Sequence, residues 1–155
     1  MNALAKSLKL VLGKRPVPLQ VGAICRDRAS GDVLLVTSRG TGRWVIPKGW
    51  PMEGRTLAGA AAQEAWEEAG ILGHINEAEL GRFTYDKDQD EGFSVPIEVR
   101  VFLLQVETTT DDFPETRQRR RRWFTPADAA RMVVEPGLRR LFLSLPPVVA
   151  PPCGG

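Results

Sequence analysis

The sequence has 155 residues, of which 43% are hydrophobic and 26% charged, a composition typical of one soluble globular domain. Two cysteines are too few for a disulfide framework, and a single histidine disfavours a histidine-based metal cluster or a Ser-His-Asp triad. No apolar run approaches the roughly 18 residues that would span a bilayer, and lysines interrupt the N-terminal segment, which makes it a poor signal peptide. These observations favour a cytoplasmic protein with one folded domain.

Charge is distributed unevenly along the chain. Residues 1–52 carry nine basic and two acidic side chains, residues 53–116 carry four and fifteen, and residues 117–155 carry eight and two. An acidic middle between basic flanks is what a site would need to hold divalent cations beside a polyanion. The alternative is an ordinary surface with separate solvated faces.

Short apolar runs separated by turn residues predict the secondary structure. The predicted strands span residues 20–26, 33–38, 44–46, 80–85, 95–106 and 123–124. The predicted helices span residues 57–69, 126–134 and 137–145. The first two strands flank a turn at Gly31 and Asp32 and are expected to form a hairpin, in which Cys25 is a small buried residue. This order of elements predicts an α/β/α sandwich around a mixed β-sheet.

The chain is expected to divide into three parts. Residues 1–16 are interpreted as a loosely attached N-terminal arm, residues 17–145 as the folded domain, and residues 146–155 as a disordered tail rich in Pro and Gly. Within the domain, residues 86–91 predict an acidic loop and residues 111–122 a polar connection.

The helix over residues 57–69 has clear end signals. Thr56 can accept a hydrogen bond from the first helical turn, and Gly70 takes the position where a left-handed residue ends many helices. Alanines and Leu57 follow one side of the helix, which predicts close packing on the sheet. The glutamates fall elsewhere on its surface.

Three glutamates of this helix converge on one patch. Glu64, Glu67 and Glu68 are three or four positions apart, and residues so spaced are neighbours on an α-helix. A divalent cation would relieve their mutual repulsion, because Mg²⁺ and Mn²⁺ prefer carboxylate oxygens. The alternative is a solvated, glutamate-rich helix face, and spacing alone leaves both interpretations open.

The segment from Gly49 to Ile71 resembles the Nudix box, whose pattern is G-x5-E-x7-R-E-U-x-E-E-x-G-U with U aliphatic. The positions that match in register are Gly49, Glu64, Ala65, Glu67, Glu68, Gly70 and Ile71. Two positions depart, since Arg55 stands at the first Glu of the pattern and Gln63 at its Arg. The resemblance covers roughly residues 20–145 and implies the Nudix α/β/α sandwich.

The two departures affect one coupled feature of the family. The first Glu and the Arg of the pattern support the geometry of the loop and helix through a salt bridge. Both charges are altered together here, so neither is left as an unpaired partner of the other. We expect Arg55 to pair with Glu53 or Glu68 instead. The glutamate triad is intact, which favours an active enzyme over an inactive relative.

The resemblance implies hydrolysis of a diphosphate linkage by water attack on phosphorus, with Mg²⁺ or Mn²⁺ as cofactor. Glu64 and Glu68 would be the main metal ligands, and the Gly49 carbonyl an additional one. Glu67 would be the general base or a further ligand. Another ligand is expected from the later acidic segments, residues 86–91 or 111–115.

The segments beside the box narrow the implied substrate class. Residues 37–39, 43–49 and 119–124 are similar to segments of diphosphoinositol polyphosphate phosphohydrolases and related diadenosine polyphosphate hydrolases. Such substrates carry many phosphate groups, so a site for them needs several cationic side chains. Arginine binds phosphate oxygens in a fork, and lysine acts as a point charge. The candidate substrate-binding residues are Arg39, Lys48, Arg119 and Arg121.

Other functions remain open at this stage. Within enzymes, the alternative is an ADP-ribose or nucleotide-sugar pyrophosphatase. From another class, the alternative is a catalytically silent Nudix module that binds a phosphorylated ligand or RNA through residues 119–122, which could also be a solvated loop. No aromatic residues interleave these arginines, so nucleic acid is the less favoured partner, and no membrane partner is expected. Trp50 either stacks on a base or covers the helix.

Overall fold

The computed structural model describes residues 17–88 and 92–148. The strands are β1 (Leu19–Asp27), β2 (Val33–Thr37), β3 (Trp44–Val45), β4 (Lys48–Gly49), β5 (Ile71–Ile75), β6 (Gly81–Asp88), β7 (Ser94–Thr109) and β8 (Arg121–Phe124). The helices are α1 (Leu57–Ala69), α2 (Pro126–Met132) and α3 (Pro136–Leu143). The predicted arm at 1–16, residues 89–91 of the predicted acidic loop and residues 149–155 of the predicted tail lie outside the described residues.

The described strands form one mixed sheet. Its path runs β3-β2-β1-β7-β5, while β4 pairs with β1, β6 with β7 and β8 with β2. The pairing of β1 with β7 is parallel, and the remaining pairings are antiparallel. The predicted hairpin of β1 and β2 is confirmed, with Cys25 fully buried and opposite Leu34.

Helices cover both faces of the sheet. On one face, α1 packs over buried residues of β1 and β2, which include Val21, Ala23 and Leu34. On the other face, α2 and α3 pack over a second cluster, which includes Ile24 and Phe83. Two apolar clusters separated by a mixed sheet are an α/β/α sandwich, so the predicted fold class is confirmed.

Helix α1 has the caps that the sequence predicts. The Thr56 hydroxyl oxygen accepts a hydrogen bond of 2.9 Å from the Gly59 backbone N–H. Gly70 ends the helix in the left-handed conformation, with φ of 67°, and its N–H bonds back to the carbonyls of Ala65 and Trp66. A side chain at Gly70 would also overlap the Thr110 carbonyl oxygen, so the C-terminal end of α1 requires glycine.

The sequence prediction missed two strands, the two-residue β4 and the longer β5. Ile71–Ile75 pairs antiparallel with β7, and His74 lies exposed opposite Gln105. Strand β7 is longer than predicted because it has β1 on one edge and both β5 and β6 on the other. Asp86–Asp88 also belongs to β6 rather than to a loop. Within 17–88 and 92–148, no helix is long and apolar enough to cross a membrane.

Candidate active site

A cavity of about 550 Å³ lies beside β4 and the C-terminal half of α1. Its acidic lining comprises Glu64, Glu67, Glu68, Asp86, Glu115 and Glu135. Its basic lining comprises Arg39, Arg43, Lys48, Lys87 and Arg119. The cavity therefore combines the three predicted α1 glutamates with three of the four predicted substrate-binding cations.

The backbone of β4 lies directly against two of the α1 carboxylates. Glu68 is buried, and its Oε2 atom accepts a hydrogen bond of 3.2 Å from the Lys48 backbone N–H. Gly49 lies beside Glu64 so closely that a Cβ at this position would overlap the Glu64 carboxylate. A glycine is therefore required here by close approach, which explains the first position of the box in physical terms.

The third glutamate is held from within its own helix. The Gln63 side-chain amide donates a hydrogen bond of 3.1 Å to Oε1 of Glu67, one turn further along α1. The backbone carbonyl of Glu67 accepts a hydrogen bond of 3.0 Å from the Glu115 N–H, which attaches the polar connection to the helix. Gln63, a departure from the box, thus orients the candidate general base.

Arg119 connects α1 to the sheet and to the polar connection. Its Nη2 atom donates to Glu68 at 3.2 Å, its Nε atom to Glu115 at 3.1 Å and its Nη1 atom to the Thr37 carbonyl oxygen at 2.9 Å. The side chains of Arg119 and Glu68 are 8% and 7% exposed, so this is a buried ion pair. Glu115 is the acidic residue that the polar connection contributes to the cavity.

The electrostatic environment disfavours negative charge on two of the glutamates. Burial, with smaller contributions from the carboxylates of Glu67 and Glu115, raises the pKa of Glu64 to about 7. Burial also raises the pKa of Glu68 to about 8, although the Arg119 guanidinium opposes that shift. Additional positive charge in the cavity would stabilise both carboxylates in their ionised form.

Lys48 forms part of a second wall of the cavity, which sequence reasoning identified only in part. Its ammonium group lies 4.9 Å from the centre of the Tyr85 ring. The Tyr85 hydroxyl donates a hydrogen bond of 2.8 Å to the Gln20 side chain. Burial lowers the pKa of Lys48, and the carboxylates of Glu68 and Glu135 oppose that change. The sequence signal that could have identified Tyr85 as part of this wall was strand alternation, which places it on the same side of β6 as Phe83 and Lys87.

The rim of the cavity carries the more exposed predicted residues. Arg39 donates a hydrogen bond of 3.1 Å from Nη1 to the Gln118 side chain, and its Nε atom lies 3.6 Å from Oε1 of Glu115. Trp50 is 48% exposed rather than buried on α1, and the Lys87 ammonium lies 4.9 Å from the centre of its ring. The side chains of Arg39 and Trp50 are both accessible to a ligand in the cavity.

Arg121 lies apart from the other predicted site residues. Its Nη1 atom donates a hydrogen bond of 2.7 Å to the Ala69 carbonyl oxygen, and its Nη2 atom pairs with Asp111. The guanidinium also lies 5.0 Å from the centre of the Phe113 ring. Arg121 is absent from the cavity lining because these groups hold it at the C-terminal end of α1.

The prediction that Arg55 pairs with Glu53 or Glu68 was wrong. Arg55 is exposed and forms no ion pair with Glu53 or Glu68 within the described part of the chain. The reason is that the Glu68 carboxylate is already taken by Arg119 and by the backbone N–H of Lys48.

The donor chemistry of the cavity fits a hard divalent cation. Carboxylate oxygens of α1 lie beside the β4 backbone, and oxygen is the ligand type that Mg²⁺ and Mn²⁺ prefer. Within residues 17–88 and 92–148, no three His, Cys, Asp or Glu side chains are already gathered closely enough to form a complete ligand set. A bound cation would therefore need ligands beyond the side chains already gathered, and Mg²⁺ commonly takes several of its ligands from water and substrate.

A model of the NUDIX domain matches residues 16–145, which is most of the chain. The chain belongs to the Nudix family. Nudix hydrolase 12, mitochondrial, of Arabidopsis thaliana is 33% identical over 105 residues, covering 65% of this chain and 51% of that protein. Diphosphoinositol polyphosphate phosphohydrolase 3-beta of Bos taurus is 31% identical over 111 residues, covering 70% and 63%. The matched region thus spans between about half and two thirds of these relatives.

Solved structures share this Nudix fold. A dihydroneopterin triphosphate pyrophosphohydrolase of E. coli superimposes with a TM-score of 0.62 at 16% identity, covering 84% of this chain and 97% of that chain. A MutT protein of Methanosarcina mazei Go1 gives 0.57 at 21% identity, covering 84% and 93%. An Ap4A hydrolase of C. elegans gives 0.56 at 20% identity, covering 82% and 93%. These similarities establish the fold.

Proposed function

We propose that this Nudix protein hydrolyses a diphosphate linkage in a polyphosphorylated small molecule, a diadenosine polyphosphate or a diphosphoinositol polyphosphate, with Mg²⁺ or Mn²⁺ as cofactor. The observation that carries the proposal is the cavity itself. It combines the α1 glutamates on one wall with Arg39 and Lys48 on other walls. A hydrolase for an anionic phosphate chain needs both kinds of group in one place.

The α1 carboxylates would hold the cation. Glu64 and Glu68 are the proposed side-chain ligands, and the Gly49 carbonyl is the proposed backbone ligand, because β4 lies directly against both carboxylates. When bound, the cation would neutralise charge on the phosphate oxygens and lower the pKa of attacking water. Glu115 and Asp86 line the same cavity and are the proposed sources of a further acidic ligand.

Glu67 is the proposed general base. In the proposed step, a water oxygen bonds to phosphorus, the bond from phosphorus to the bridging oxygen breaks, and the water proton passes to Glu67. The hydrogen bond from Gln63 to Oε1 holds the Glu67 side chain in one orientation, which a proton acceptor needs. The leaving phosphate departs with the bridging oxygen and its electron pair.

The substrate class rests on the cations and on the names of similar proteins. Arg39 and Lys48 are proposed to bind phosphate oxygens away from the reacting phosphorus. Relatives are named diphosphoinositol polyphosphate phosphohydrolase, and a structural neighbour is named Ap4A hydrolase. Trp50 is proposed to stack on the base of a diadenosine substrate, since its ring is exposed at the cavity.

A substrate panel tests the proposal. Release of phosphate and nucleotide would be measured with Mg²⁺, with Mn²⁺ and with EDTA, on diadenosine polyphosphates, diphosphoinositol polyphosphates, ADP-ribose, nucleotide sugars and nucleoside triphosphates. We expect EDTA-sensitive cleavage of the first or second class. Preferred cleavage of ADP-ribose or a nucleotide sugar would overturn the substrate class, and no cleavage by the folded protein would overturn the proposed function.

The Trp50→Ala variant separates the two expected substrates. Loss of a stacking surface costs about 1–3 kcal/mol per base, so KM for a diadenosine polyphosphate should rise by about tenfold or more. KM for a diphosphoinositol polyphosphate, which has no base, should stay within about twofold. An equal change for both substrates would contradict base stacking by Trp50.

A further inference from the structure

Every arm of the Arg119 guanidinium already has a partner within the protein. Nη2 donates to Glu68, Nε to Glu115 and Nη1 to the Thr37 carbonyl oxygen, and the side chain is only 8% exposed. These acceptors come from α1, from the polar connection and from β2. A planar guanidinium that meets three fixed acceptors has its position determined by the protein.

The backbone beside Arg119 is fixed to the sheet as well. The Thr37 N–H donates to the Arg120 carbonyl oxygen at 2.9 Å, and the Arg120 N–H donates to the Thr37 hydroxyl oxygen at 2.9 Å. From Arg121 onward, β8 pairs with β2, with Arg121 opposite Val36. Arg119 therefore projects from a backbone that β2 holds, and it links the sheet to α1.

Arg119 is the cation that contacts the α1 glutamates among residues 17–88 and 92–148. Helix α1 contains neither Lys nor Arg. Arg55 is exposed, and Gln63 is neutral and bonded to Glu67. The Lys48 ammonium faces the Tyr85 ring, and this residue reaches Glu68 through its backbone N–H. Arg119 is thus the cationic side chain bonded directly to the buried Glu68 carboxylate, and the Lys48 ammonium acts on it more weakly without a direct contact.

We infer that Arg119 is a positioning residue that holds Glu68 for metal binding, rather than a residue that binds substrate phosphate. The inference rests on the proposed function. Arg55 and Gln63 do not supply a cation to the α1 carboxylates. Under this inference the cation comes instead from Arg119, which lies outside the Nudix box and 51 residues after Glu68. This role differs from the one predicted from the sequence, in which Arg119 binds substrate phosphate.

The test compares Arg119→Lys and Arg119→Gln with Arg120→Ala. Arg120 is a matched control, because it is the next arginine, its side chain is exposed, and its contacts to Thr37 use only backbone N–H and carbonyl groups. Mn²⁺ affinity would be measured by electron paramagnetic resonance without substrate. The values of kcat and KM would then be measured on the best substrate of the panel, and circular dichroism would report folding.

Loss of a residue that orients a metal ligand typically weakens metal binding or activity by about 10–100-fold. We expect about 100-fold weaker Mn²⁺ binding for Arg119→Gln and about 10-fold for Arg119→Lys, since lysine keeps the charge but lacks the fork. The same variants should lower kcat at near-saturating Mn²⁺ and leave KM within about twofold. Arg120→Ala should match the wild type in every measurement.

A different pattern would overturn the inference. A rise in KM of tenfold or more, with unchanged Mn²⁺ affinity and kcat, would make Arg119 a substrate-binding residue. If Arg119→Gln does not fold, the Mn²⁺ affinity of Arg119→Lys decides the question, because lysine retains a positive charge beside the carboxylates of Glu68 and Glu115. A wild-type protein that binds Mn²⁺ but hydrolyses nothing would contradict the proposed function, whereas unchanged Mn²⁺ affinity in a folded Arg119→Lys contradicts the role of Arg119 alone.

Discussion

The two faces of the sheet are packed in different ways. On the α1 face, the buried residues of the helix are five alanines and Glu68. On the opposite face, α3 buries Leu138 and Phe142, and Phe83 and Phe124 belong to the same cluster. Small side chains let the α1 backbone approach the sheet, which brings its carboxylates against β4. Large apolar side chains on the other face contribute mainly burial.

The largest expected effect is on the α1 face, in Glu67→Gln. This change keeps the shape of the side chain but removes the proposed proton acceptor, so kcat should fall by about 10²–10⁴-fold with an unchanged fold. The control is Glu107→Gln, an equivalent change on an exposed part of β7. Wild-type turnover in a folded Glu67→Gln would remove Glu67 from the mechanism.

A pair of core variants sharpens the contrast between the faces. Phe142→Ala should lower the free energy of unfolding by about 3–5 kcal/mol, because the residue is 1% exposed, yet leave kcat near the wild-type value. Ala65→Leu should cost about 1–3 kcal/mol by overpacking and displace α1 from β4. Since a displacement of about 1 Å at a reacting group can cost about 10²-fold, kcat should fall strongly.

Urea unfolding and steady-state kinetics on the same preparations measure both effects. The comparison between the faces predicts a loss of stability alone for Phe142→Ala and a loss of activity for Ala65→Leu. Equal effects of the two variants on kcat would mean that the close packing of α1 has no special role in the site.

Gly49→Ala tests the contact between β4 and α1. The new methyl group would overlap the Glu64 carboxylate, so Mn²⁺ affinity and kcat should each fall by about tenfold or more. Gly40→Ala is the control at the cavity rim, where an added Cβ meets no heavy atom within 4 Å. If Gly49→Ala binds Mn²⁺ as tightly as Gly40→Ala does, the close approach has no part in metal binding.

The smallest effect concerns Cys25 and pH. Burial, with a smaller contribution from the Glu68 carboxylate, raises the pKa of the Cys25 thiol to about 12. The unfolded chain releases this proton at its ordinary, lower pKa, so the free energy of unfolding should decrease as the pH rises above about 9. Between about pH 8 and 10.5, the wild type should lose roughly 1–2 kcal/mol more than Cys25→Ala. Parallel profiles in urea titrations would refute this.

Local signals in the sequence were sufficient to predict the limits of α1 and its cluster of glutamates. Its limits were predicted correctly because Thr56 and Gly70 act within one helical turn of the ends that they cap. The glutamate cluster followed from helical spacing alone. Strand β5 was missed because Gly73 and His74 interrupt its apolar pattern, and its pairing depends on β7, which lies far along the chain.

Long-range partners could not be predicted. Arg119 reaches Glu68 and Thr37, which are 51 and 82 residues away in sequence, so no local pattern indicates that its guanidinium is fully engaged. The expected pairing of Arg55 with Glu68 was wrong for the same reason. The four arginines at 119–122 do not form one basic patch, because alternate side chains point to opposite sides where this segment pairs with β2. Arg119 and Arg121 contact groups of α1, whereas Arg120 and Arg122 are exposed.

The most direct test of the central claim is hydrolysis of a diadenosine polyphosphate or diphosphoinositol polyphosphate in water enriched in heavy oxygen. Phosphorus NMR and mass spectrometry would locate the label, with EDTA and Glu67→Gln as controls. The account predicts one heavy oxygen on a phosphate product, bonded to phosphorus, no product in EDTA, and product formation about 10²–10⁴-fold slower in Glu67→Gln. Cleavage that leaves phosphorus unlabelled, or that persists at full rate in EDTA, would contradict it.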